Sequence, residues 1–82
     1  MNKEEFIEKI MMYDGYDCVE FELEDGSIYS IEEGTNFIGG SEGTYESTLL
    51  GHIAYDSYES CVNAVADYIY DEISEVVVNI DC

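Results

Sequence analysis

The chain has no proline, only two basic side chains and only three cysteines. It also has no apolar run that approaches the ~20 residues of a membrane helix. Each scarcity removes a class of protein. Without proline, and with eight Tyr, three Phe and 46% hydrophobic residues, the sequence lacks the composition of a disordered acidic tail. Cys18, Cys61 and Cys82 are odd in number and widely separated, which is no disulfide framework and points to reduced thiols. Met1 to Met12 is amphipathic and charged, without the apolar core of a secretory leader. The expected compartment is therefore a cytoplasm. Lys3 and Lys9 are the only cations, and both precede Ile10. A protein so poor in Lys and Arg has no means of gripping phosphates.

What is present is acid. Asp and Glu make up 20 of the 82 residues and give a formal net charge of −18. Seventeen of them (20 minus Glu4, Glu5 and Glu8) follow Ile10, with no Lys or Arg among them. Such a surface repels nucleic acid and draws strongly basic partners by long-range steering. It also opposes folding: two carboxylates ~7 Å apart repel by roughly 0.6 kcal/mol in water, and physiological salt screens only part of that. A chain of this length forms one domain and buries little more than ~60% of its unfolded surface. The acidity thus works against stability and has to serve something else.

Local patterns predict an α+β fold. Asn2 with Glu5 three residues on reads as a capping box, opening a helix over 2–12 with Phe6, Ile7, Ile10 and Met11 as its apolar stripe. Val19, Phe21 and Leu23 alternate with Glu20, Glu22 and Glu24, the pattern of a strand with one apolar and one acidic face. Asp25-Gly26 is a strong hairpin signal, with Ser27 to Ile31 returning as the second strand. Phe37-Ile38 reads as a short extended piece and Gly39 to Gly43 as a flexible turn. Thr44 to Leu50 reads as a third strand, and 52–56 as a connector. Ser57 caps a helix over 57–73, with Tyr58, Cys61, Val62, Val65, Ile69 and Ile73 along one side. Glu75 to Asp81 closes as a last strand or packed tail. The expected architecture is a small antiparallel sheet of three to four strands packed with two helices, in the order α-β-β-β-α-β.

Two acidic rows are the candidate binding surfaces. Glu20, Glu22 and Glu24 stand roughly 6.6 Å apart along a strand, comparable to successive phosphates on one nucleic-acid strand. Asp25, Glu32 and Glu33 extend this row around the hairpin. An outer strand face is often polar, but surfaces normally intersperse both signs, and here no cation is in reach. The second row, Asp67, Asp71, Glu72 and Glu75, repels itself at helical spacing and ends where the helix dipole disfavours it. Tyr29 and Tyr70 are the candidates for exposed rings that stack on a partner's guanidinium groups.

Catalysis has little to stand on. His52 is the only histidine, and no nucleophile–base spacing surrounds it. The glycines at 39–43 lack the Lys-Ser/Thr of a phosphate loop. Cys18, His52, Cys61 and Cys82 have no paired zinc-ligand spacing, and Asp14 to Asp17 is no EF-hand loop. No enzyme activity, cofactor or dedicated metal site is expected.

Small size, extreme acidity and the rows Glu20-Glu22-Glu24-Asp25 and Asp67-Asp71-Glu72-Glu75 resemble the phage-encoded DNA-mimic inhibitors, the anti-restriction and anti-CRISPR proteins. The helix, three-strand sheet, helix order is similar to that of some anti-CRISPR proteins. The resemblance implies a cytoplasmic inhibitor in an infected bacterium, whose carboxylates replace phosphates in the DNA channel of a CRISPR effector or restriction enzyme. For a CRISPR effector it implies the arginine-lined site that reads the PAM. Two other readings stay open: an antitoxin or immunity-type neutraliser of a basic nuclease, and a halophilic or cation-binding protein whose charge serves solvation. Oligomeric state, monomer or dimer, is left open by the sequence.

Overall fold

A computed structural model describes residues 1–34, 43–51 and 53–82. The expectations for Phe37-Ile38, for the glycines at 39–42 and for His52 fall outside the described residues. The element order is α1 (Lys3–Met11), β1 (Cys18–Leu23), β2 (Ile28–Glu33), β3 (Tyr45–Ser47), α2 (Tyr58–Asp67), a π-helical turn (Tyr68–Glu72) and β4 (Val77–Asp81). The four strands form one antiparallel sheet in the order β3-β2-β1-β4.

Each helix starts where its cap places it. The Asn2 side chain accepts from the Glu5 N–H at 2.8 Å, and the Glu5 carboxylate accepts from the Asn2 N–H at 3.1 Å. Two of the helix's orphan donors are thereby satisfied. Ser57 caps α2 by accepting from the Ser60 N–H. Phe6 and Ile10 of α1 and Tyr58, Cys61, Val62, Val65, Ala66 and Ile69 of the second helix are buried against Val19, Phe21, Leu23, Ile31 and Val77 of the sheet. Full burial of each large aliphatic or aromatic side chain stabilises by roughly 1.5–3 kcal/mol. Phe6 lies at the centre, edge-on to Phe21 at 5.7 Å.

Two expectations shift by one residue, with consequences. The hairpin loop is not the two-residue Asp25-Gly26 turn. Gly26 N–H donates to the Leu23 carbonyl, Leu23 N–H to the Ser27 carbonyl, and Gly26 sits at φ +92°. This is the three-residue loop of a type I turn followed by a left-handed residue. Only glycine takes that φ without strain, so Gly26→Val is expected to lower stability by about 1–2 kcal/mol, read as a lower urea midpoint. An unchanged midpoint would refute the turn assignment.

The second shift is in the last helix. Its final turn widens, with Ile73 N–H bonding back to Tyr68 O, and it stops at Ser74 with φ 54°. The added residue rotates Ile73 off the apolar stripe, leaving it 39% exposed, contrary to its expected place beside Ile69. The third strand is also shorter than Thr44 to Leu50 suggested: Thr48 N–H still donates to the Ser30 carbonyl, but Ser30 N–H donates to the Thr48 hydroxyl instead of its carbonyl, and the ladder ends there.

Candidate interaction surface

Both helices cover one face of the sheet, and the other face carries the acid. Val19, Phe21, Leu23, Tyr29 and Ile31 point toward the helices, so alternation turns Cys18, Glu20, Glu22, Ile28, Ser30 and Glu32 outward. The registers bring Glu20 opposite Ser30 on one side and opposite Asp81 on the other. Glu22 stands between Ile28 and Asn79. Directly opposed residues have Cβ atoms about 4.5–5.5 Å apart, so Glu20 and Asp81 form a like-charged pair. No Lys or Arg among the described residues lies on this face, since both lysines belong to α1.

Between these side chains lies a shallow depression of about 100 Å³, lined by Glu20, Phe21, Glu22, Ile28, Asn79 and Asp81. Ile28 is 62% exposed, an apolar floor beside three carboxylates. Such a site matches a long cationic side chain, whose methylene stem packs while its head stays among acids. Asp81 was absent from the expected row, because a pattern read along one strand does not show which strand pairs beside it.

The other expected row residues divide. Glu24 and Asp25 lie in the hairpin turn at the end of the row. Asp25 accepts from the Ser27 N–H at 2.9 Å, and hydrogen bonding to Ser27 holds its carboxyl below the usual range. Glu32 extends the row diagonally from Glu20 and accepts from the Ser30 hydroxyl at 2.8 Å. Glu33 alternates to the opposite side, where its carboxylate accepts from the Gly43 N–H. The β2–β3 register sets Glu46 opposite Glu32. Glu46 is only 5% exposed, and its Oε2 meets no hydrogen-bond donor among the described residues.

The helical row does not join the strand row. It belongs to the helical layer, and half of it is already engaged: Lys3 Nζ lies 2.8 Å from Asp67 and 2.7 Å from Asp71. These bonds raise the Lys3 amine above its ordinary value. The i, i+4 repulsion expected in this row is relieved by one cation from α1, which pins the two helices together. Glu72 is exposed and Glu75 half-buried. The tyrosines expected to stand free do not. Tyr29 packs on Phe21 at 6.2 Å. The Tyr70 hydroxyl donates to Met1 O at 2.6 Å and accepts from Val77 N–H at 3.1 Å. Both are half-buried; the more open rings are Tyr16 and Tyr68.

Cys18 acts as a probe within the acidic face. Its thiol is raised above the ordinary value by burial, then by the charges of Glu32 and Glu20. Burial pushes Cys61 up to about 12. Since the thiolate is the nucleophile, iodoacetamide at neutral pH is expected to label exposed Cys82 well before Cys18 or Cys61. The double variant Glu20→Gln/Glu32→Gln is expected to speed labelling of Cys18 alone, followed by peptide mass spectrometry. Unchanged labelling would mean that the face lacks the proposed negative potential.

Among the described residues, no group of three or more His, Cys, Asp or Glu is arranged to hold a metal ion, and no helix is long and apolar enough to cross a membrane. No protein-family model, no curated protein and no solved structure matches the chain.

Proposed function

We propose that the chain is a non-catalytic inhibitor that presents its acidic sheet face to the nucleic-acid groove of a basic bacterial defence effector. The first candidate is a CRISPR-associated nuclease, and restriction enzymes form the same class of target. One observation carries this reading: Glu20, Glu22, Glu32 and Asp81 share a face on which no described cation lies. Rows of carboxylates on neighbouring strands offer a positive groove what a phosphate row offers it. Arginines of the effector make charge-assisted bonds to these carboxylates, with one stem seated over Ile28. Binding excludes DNA by occupancy, and no bond is made or broken.

The test is capture by tagged protein from a bacterial lysate that carries an active restriction or CRISPR system, eluted over a salt series. One nucleic-acid effector, released steeply by salt and displaced by duplex DNA, is the expected result. A basic toxin nuclease in its place would convert the reading to an antitoxin. A mixture of unrelated basic proteins would reduce the charge to solvation and end the proposal.

A further inference from the structure

The sheet has two edges, and they are treated differently. At β3, Tyr45 and Tyr55 exchange backbone hydrogen bonds of 2.9 and 2.8 Å, which covers that edge. At β4, Val77 is also occupied: its N–H donates to the Tyr70 hydroxyl, and its carbonyl accepts from the Met1 nitrogen at 2.8 Å. Ile80 is not. Leu23 directs its N–H and C=O to the hairpin side, bonding Ser27 and Gly26. Alternation then turns Glu22 and Glu20 toward β4 and Phe21 away from it. Ile80, opposite Phe21, therefore points its own N–H and C=O to the open edge. Exposed edges of this kind are templates for pairing with another strand.

Beside that edge runs a groove of about 490 Å³, lined by Met1, Lys9, Met12, Tyr13, Tyr16, Val78, Asn79 and Ile80. Met12 is 79% exposed and Val78, the extra residue at the β-bulge, 49%. In a chain with 20 acids and two lysines, this lining contains no carboxylate. It includes Lys9, for which no ion pair is present among the described residues, Lys3 being held by Asp67 and Asp71. A basic partner has nothing to bind here. Two acidic chains that met edge to edge here would bring together their carboxylate-free linings, where mutual repulsion is least.

We propose that the occupant is a second copy of this chain, paired antiparallel through β4 about a two-fold axis at Ile80. Two conditions are met in that register. Directly opposed residues must face the same way, and pairing Ile80 with Ile80 sets Asn79 against the second copy's Asp81, both on the outer face. The same register lets the two Ile80 residues exchange both N–H···O bonds, the orientation that alternation already imposes. Asn79 then gives Asp81 an amide donor in place of another carboxylate. The product is one eight-stranded sheet whose outer faces join, so the two acidic faces become continuous. This association does not depend on what the acidic face binds, although the two share Asp81 at their border.

Its salt dependence is opposite in sign to that of capture by a basic partner. Two bodies of charge −18 repel at long range, and salt screens that repulsion. Sedimentation velocity is expected to show a shift from 9.3 kDa toward twice that mass. The dissociation constant is expected to fall at least ~10-fold between ~0.05 M and ~0.5 M NaCl. Lys9→Glu and Met12→Glu, both at exposed positions, are expected to remain folded by circular dichroism and to be monomeric. The register has its own test. Val78 lies opposite the second copy's Cys82, so Val78→Cys treated with diamide is expected to give a covalent dimer, lost in Val78→Cys/Cys82→Ser. Ile28→Cys, away from the edge, is expected not to crosslink. A monomer at every salt concentration would overturn the proposal and leave the edge to a strand of another protein. A crosslink that survives Cys82→Ser would overturn the register.

Discussion

Reversal of Glu20, Glu22 and Asp81 to lysine is expected to weaken effector binding at least about 1000-fold while leaving the fold intact. Each carboxylate in the face is positioned for a charge-assisted bond, and loss of each costs about 1.5 kcal/mol or more. Three such losses exceed 4 kcal/mol, which is about three decades in affinity, before lysine–arginine repulsion is added. Bulk charge needs a control, since three reversals move the net charge from −18 to −12 (−18 + 6). Glu4→Lys/Glu8→Lys/Glu59→Lys makes the same change on exposed helical positions and is expected to stay within about 10-fold of the parent, as distant surface charges mainly tune steering. Titration calorimetry against the captured effector reads both. Equal losses in the two variants would show that affinity follows total charge and that the sheet face is no site.

Glu46→Gln is expected to stabilise the protein by about 1–3 kcal/mol, the penalty of a buried polar group left unsatisfied. The native carboxylate is 5% exposed, has an oxygen without a donor among the described residues, and stands across the ladder from Glu32. Like charges directly opposed destabilise a sheet. Glutamine keeps the shape, removes the charge and offers Glu32 an N–H. A domain of this size gains about 4–8 °C in Tm per kcal/mol, so thermal unfolding is expected to shift upward by about 5–15 °C. A lower Tm would show that the carboxylate has stabilising contacts that its amide cannot replace. Glu46 marks the acidic face as a place where stability is spent.

The sequence was most legible where one residue type admits one local solution. Asn2 and Ser57 cap the helices they were expected to cap, because a short polar side chain before an apolar stripe has few other uses. The alternation of Val19 to Leu23 gave the acidic outer face directly. What failed was phase. A two-residue Asp25-Gly26 loop would set Tyr29 opposite Glu22 and expose it. The three-residue loop sets Tyr29 opposite Phe21 and turns Ile28 outward instead. A one-residue slip exchanges the faces of a whole strand, and nothing in the hairpin's composition excludes it. The π turn did the same to Ile73. The helical row misled for another reason: Lys3 lies 64 residues from Asp67 and 68 from Asp71 in sequence, and periodicity carries no information about such a meeting. Asp81 beside Glu20 and the burial of Glu46 are likewise products of strand order and tertiary cover.

Strand order also governs how the protein comes into being. In β3-β2-β1-β4, the strand translated last lies beside the strand translated first. β1 and β2 can pair as a hairpin as soon as both emerge, but the β1 edge facing β4 stays bare until residue 81 is made. Val77 completes the core only then. Throughout that interval an apolar strand face and an open edge are presented to the surroundings, the condition that leads growing chains on a polysome to aggregate. By then the same segment has also laid down Glu20, Glu22, Glu32 and most of the remaining acids. Mutual repulsion keeps neighbouring nascent chains apart, so the charge that burdens the finished fold shelters the unfinished one.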